Sequence, residues 1–116
     1  MITEERRIHQ RRPLRLVVNV ESASQLSARP AVAKDASVTG ILLGCSRKLQ
    51  IGEAVKLTVQ LPGDPLRQLT AKVVRCERNR DAEISLWRYL TAVRFDAPAP
   101  ELFQAIGRSQ AGSVLS

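Results

Sequence analysis

Residues 55–61 read Val-Lys-Leu-Thr-Val-Gln-Leu, and this alternation constrains the fold of the chain more than any other feature. A period of two cannot form one face of a helix. It places Val55, Leu57, Val59 and Leu61 on one side of a strand and Lys56, Thr58 and Gln60 on the other. Pro62-Gly63-Asp64-Pro65 then signals a turn, and a returning strand runs from Leu69 to about Cys76. Residues 54–77 thus read as an antiparallel hairpin. The same pattern places Leu14, Leu16, Val18 and Val20 on one face, with Arg15 and Asn19 opposite. Further strand candidates are Ala31–Ala36, Ile41–Leu43 and Trp87–Phe95, the last with Val93 and Phe95 facing away from Arg94. Residues 21–30 and 78–85 read as loops. Beyond Pro98 and Pro100, Glu101–Ile106 is a short helical segment with Leu102 and Ile106 on one face and Gly107 as a stop. Several short strands followed by one helix imply an all-β domain, a small barrel or sandwich closed at one end by that helix.

Composition sets the limits around this pattern. A chain of 116 residues has room for one domain, and 44% hydrophobic residues make it globular rather than disordered. Only 3% are aromatic, so the core must be built from Val, Leu, Ile and Ala. The net charge is +7, and 14 of the 18 basic residues are arginine. Arginine presents a planar fork that fits phosphate and the O6/N7 edge of guanine, so an anionic partner follows, with plain solvated surface charge as the alternative. The charged start of the chain lacks the apolar stretch of a secretory signal. No apolar run reaches the ~18 residues of a membrane span. Cys45 and Cys76, with a single histidine, do not supply a four-ligand zinc site. They read as core or half-buried thiols in a reducing compartment, which points to the cytoplasm.

Two local patterns carry chemistry. Residues 4–15 form a charged arm without an amphipathic stripe, closed by Pro13, and within it stands Glu5-Arg6-Arg7-Ile-His-Gln-Arg11. Arg7 and Arg11 can close on one ligand if the arm turns, one on a phosphate and one on a purine edge or face. The second pattern is Asp35-Ala-Ser37-Val-Thr-Gly40. On an extended segment Asp35 and Ser37 point the same way. The carboxylate can accept from the N1–H and amine of guanine, and the hydroxyl can donate to a phosphate or hold the loop. Gly40 permits a tight turn and a close backbone approach. Taken singly, each pattern is common: RxxxR arises by chance in arginine-rich chains, and DxSxxG often marks a strand end with a side-chain-capped turn.

In this order and context the two resemble the PilZ family, which carries RxxxR in an arm before the first strand and D/NxSxxG some 20 to 30 residues later. Ala92-Val93-Arg94-Phe95 looks like that family's final strand, with Ala92 where glycine is usual, a departure expected to touch packing more than ligand chemistry. The resemblance spans about residues 4–106. It implies a six-stranded antiparallel β-barrel, a PilZ-like split barrel, with a flexible basic N-terminal arm and a short C-terminal helix. The implied divisions are 1–13 for the arm, 14–107 for the barrel and helix, and 108–116 for a flexible tail. It also implies a cyclic di-GMP site where the arm crosses the barrel. Arg7 and Arg11 would grip phosphates and bases, Asp35 and Ser37 would bind from the barrel, and Gly40 would shape the turn. Arg6 would meet a second nucleotide of an intercalated dimer, while Arg12 and Arg15 read as solvated.

No enzyme is expected. His9 is the only histidine and has no nucleophile paired with it, and there is no phosphate loop, dinucleotide glycine motif or metal-ligand cluster in the sequence. The expected protein is therefore a receptor without cofactor or metal, which binds cyclic di-GMP, orders its arm and signals through a protein partner. Two alternatives remain: a PilZ-like interaction module without ligand binding, and a small basic barrel that binds nucleic acid. Against the second, Trp87, Tyr89, Phe95 and Phe103 are the only aromatics, too few for the usual stacking platforms.

Overall fold

The computed structural model of the chain describes residues 16–22, 28–80 and 87–115, with only the backbone from 109 onward. Among the described residues, six strands and one helix follow in order: β1 Leu16–Ser22, β2 Arg29–Ala36, β3 Gly40–Cys45, β4 Ala54–Val59, β5 Arg67–Arg78, β6 Tyr89–Phe95 and α1 Pro100–Leu115. The strands close into a barrel in the order β1-β2-β3-β6-β5-β4, every pairing antiparallel. Closure decides between the two architectures that the strand pattern left open. β1 bonds to β4 through Val18↔Val59 and Val20↔Leu57, so no strand keeps an open edge.

The alternating residues meet inside as the period of two requires. Val18, Val20, Val55, Leu57 and Val59 are buried, with Leu43, Val73 and Val93 across from them. Four inward positions on β2 and β5 are alanines, Ala31, Ala33, Ala36 and Ala71, because a six-stranded barrel is too narrow for large side chains all round. The β4–β5 hairpin turns as its sequence dictates. Pro62 fixes one dihedral, Gly63 takes φ +72°, and the Asp64 N–H donates to the Leu61 carbonyl at 3.0 Å. Arg67 locks the return by donating to both Asp64 carboxylate oxygens, at 2.7 and 3.2 Å, and this pair holds the Asp64 carboxyl below the ordinary carboxylate range.

Several boundaries differ from the sequence expectation. β1 continues through Glu21 and Ser22, and β2 already includes Arg29 and Pro30, so the ends of the supposed 21–30 loop belong to strands. The ladder explains it: Glu21 faces Lys56 and Ser22 faces Val55 on β4, contacts invisible within the segment itself. β5 likewise outruns the expected Leu69–Cys76 at both ends. The helix does not stop at Gly107 but runs to Leu115, across the expected boundary between barrel and tail. Gly107 lacks the left-handed backbone that ends helices, since among the described residues positive φ occurs only at Gly52 and Gly63. Leu102 and Ile106 do share a face and, with Ala105, are buried in the barrel core.

Both cysteines point inward near the buried Thr91, as expected of core or half-buried thiols. Cys45 is buried, and Cys76 is half-buried with its Sγ 3.4 Å from Thr91 Oγ1. Burial pushes the Cys45 thiol above its ordinary pKa of 9.0, partly offset by a hydrogen bond with Thr91. The unfolded chain therefore releases this proton first as pH rises, so it binds fewer protons than the folded state and stability falls above about pH 9. Urea unfolding at pH 8 and pH 10 tests this: the wild type loses more stability between the two than Cys45→Ala does.

Candidate functional site

β2 carries the Asp35 motif, and its pairing with β3 slips at one point. Ala33 faces Leu43 and Asp35 faces Leu42, so Lys34 is an extra residue in a β-bulge. Ala31 and Ala33 point into the core, and without the bulge Asp35 would follow them into the barrel. The inserted Lys34 shifts the phase: Ala36 goes in, and Asp35 stands half-buried on the outer face.

Ser37 follows directly on the strand, so Asp35 and Ser37 flank the inward Ala36 as the extended spacing predicts. The Ser37 hydroxyl is occupied in holding the loop: Thr39 N–H donates to its Oγ at 3.3 Å, and Thr39 Oγ1 lies 3.3 Å away. The Ser37 N–H closes the link by donating to the Gly40 carbonyl at 2.9 Å. Gly40 is needed for close approach rather than for its dihedral, because its φ is not positive. A Cβ there would run into the Val93 carbonyl oxygen of β6. The linker from β6 to α1 grips the same turn. Phe95 N–H donates to the Thr39 carbonyl and Ala99 N–H to the Val38 carbonyl, both at 2.8 Å.

Two neighbouring rows of outward residues cross the barrel wall, one of them starting at Asp35. One runs Asp35, Leu42, Ala92, Arg75, and the next runs Val17, Val32, Gly44, Leu90, Glu77. Val32, Leu42, Leu90 and Ala92 are half-buried and form an apolar floor beside the carboxylate. Gly44 leaves room for Trp87, since a Cβ there would sit 3.1 Å from both the Trp87 Cβ and the Val32 Cγ1. Asn79 fixes Trp87 in turn by donating its amide to the Trp87 carbonyl at 2.9 Å. A flat heterocycle can lie on such a floor while Asp35 accepts hydrogen bonds from its donor edge.

The barrel thus assembles Asp35, Ser37 and Gly40 at one end of this face. Arg6, Arg7 and Arg11 lie outside the described residues. Ala92 lies on the outer floor, two strands from Asp35, because Val93 takes the inward position. The floor residues and Trp87 escaped the sequence reading. Their one signal was Ile41-Leu42-Leu43, apolar at three consecutive positions where a strand with one wet face alternates.

A family model described as the PilZ domain matches residues 5–110. The chain belongs to the PilZ domain family. Among solved structures, the Bacillus subtilis inhibitor of motility MotI/DgrA superposes with a TM-score of 0.62 at 20% identity, over 83% of this chain and 45% of that one. The chain therefore spans less than half of that protein. The PilZ domain of CeSA from a cellulose-synthesizing bacterium superposes with a TM-score of 0.58 at 19% identity, over 84% of this chain and 91% of that one. At such identities these two likenesses speak for the fold alone. Comparison with curated protein sequences yields no match. Among the described residues of this PilZ domain no helix is long and apolar enough to cross a membrane, and no His, Cys, Asp or Glu cluster suits a metal.

The bulge and the close approach at Gly40 both make testable demands. Deleting Lys34 turns Asp35 toward the core and destabilises the domain by about 3 kcal/mol or more, the order expected for a buried unpaired charge. Replacing Asp35 by Ala in the same deletion recovers most of that loss in urea denaturation. Gly40→Ala forces β3 away from β6 and lowers stability by about 1–3 kcal/mol by the same measurement.

Proposed function

We propose that this PilZ domain is a cytoplasmic receptor for cyclic di-GMP, without catalytic activity or cofactor, that passes the signal to a protein partner. The observation that carries the reading is the bulge that turns Asp35 out of the core onto the apolar floor, beside the Ser37–Gly40 turn. A carboxylate is the natural acceptor for the N1–H and exocyclic amine of guanine, and the floor offers that base a surface to lie on. A flat base on apolar surface with a single carboxylate is a poor arrangement for a general nucleic-acid site, which depends on several stacking aromatics.

The arm supplies the other half of the proposed site. Four arginines within residues 6–12 repel one another, and the ligand's phosphates neutralise them. Arg7 and Arg11 then grip phosphate and base, with Arg6 toward a second nucleotide. Ligand binding orders the arm against the barrel and replaces a strongly positive segment by a neutralised surface. The turn at Ser37 is also bonded to the linker that starts α1, so a ligand held there bears on the position of the helix. The partner reads this altered surface.

Calorimetry with cyclic di-GMP tests the reading. Arg7→Ala, Arg11→Ala and Asp35→Ala each weaken binding by about tenfold or more, the order expected when a charged hydrogen bond is lost. Undiminished affinity in all three removes the site assignment. Competition with a random oligonucleotide at two salt concentrations checks the nucleic-acid alternative, which requires steep salt dependence and no preference for the dinucleotide.

A further inference from the structure

β5 carries a second bulge, at the same level of the barrel as the one beside Asp35. Val73 faces Val93 and Arg75 faces Ala92, so Val74 is the extra residue. Ala71 and Val73 point inward, and an unbroken strand would send Arg75 in after them. The inserted Val74 instead places Arg75 on the outer row that runs through Ala92 and Leu42 to Asp35. Two bulges on separate strands thus re-aim two opposite charges onto one row, with the apolar Leu42 and Ala92 between them. Bulges that re-aim a side chain in this way gather beside binding sites.

The ends of the row are three strand spacings apart, about 14 Å at about 4.8 Å each. An arginine side chain is long enough to cover part of that gap across the short Ala92. Arg75 is also weakly committed. It lies 3.7 Å from Glu77, and both side chains are more than 60% exposed, a pair of little strength. Lys72 and Arg94 face each other one row away, and Lys72 lies 3.5 Å from Asp96. They add positive charge nearby but do not share the row with Asp35.

We infer that Arg75 is a further ligand-binding residue of the Asp35 site. Its guanidinium pairs with a phosphate of the bound cyclic dinucleotide while Asp35 holds a guanine edge at the other end of the floor. The inference rests on the cyclic di-GMP reading and names a residue outside both sequence motifs. Calorimetry on the full chain compares the wild type with Asp35→Ala, Arg75→Ala, Arg75→Lys and Arg94→Ala, with thermal unfolding as the check on folding. Arg75→Ala weakens cyclic di-GMP binding by about tenfold or more, Arg75→Lys recovers part of it through its point charge, and Arg94→Ala changes it by less than about threefold. Wild-type affinity in Arg75→Ala, or an equal loss in Arg94→Ala, overturns the inference. If Asp35→Ala is weakened at the same time, the receptor reading survives that result. A wild-type chain that does not bind cyclic di-GMP overturns both.

Discussion

Every strand of this domain has one side turned into a narrow closed barrel, and that requirement governs the rest of the structure. Six strands leave so little interior space that alanines fill the inner side of β2 and one inward position of β5, while valine and leucine fill most of β1 and β4. Closure through β1 and β4 satisfies the backbone bonds that an open sheet would leave at its edges. It also fixes the phase of each strand, because a slip of one residue exchanges the inner and outer sets entirely.

Against that rigidity, the two bulges act as local corrections. Lys34 and Val74 each add one residue, and each reverses the phase of the strand that follows. On β2 this sends Ala36 in and keeps Asp35 out; on β5 it brings Cys76 toward Thr91 and keeps Arg75 out. The same correction serves stability and site-building. A carboxylate or guanidinium in an apolar barrel would be strongly unfavourable, and on the outer wall it keeps contact with solvent.

The turn between β2 and β3 shows how tightly site and scaffold are joined. The Ser37 hydroxyl holds the loop, Gly40 allows β3 to lie close against β6, and the Val38 and Thr39 carbonyls anchor the chain leading to α1. The motif residues thus have structural duties of their own, and Asp35 is the member whose side chain the fold presents outward beside the floor. Gly44 plays a similar part on the neighbouring row by leaving space for Trp87.

The sequence alone determined the strand content, the β4–β5 hairpin and the buried face of α1. Those features rest on local periodicity and on turn chemistry at Pro62 and Gly63, which need no distant partner. The paired motifs likewise marked Asp35, Ser37 and Gly40 as one unit. The motif resemblance implied the six-stranded barrel that the structure shows, and tertiary structure alone decided where β1 and β2 end and that the helix passes through Gly107. It also decided which way Asp35 and Arg75 face and that Ala92 belongs to the outer floor. These depend on ladder register between strands far apart in the chain, and a one-residue bulge changes the phase of alternation over too few residues to be read by itself. The alternation at residues 55–61 thus established that the chain folds into strands, whereas the register between those strands established which side chains stand on the outer wall.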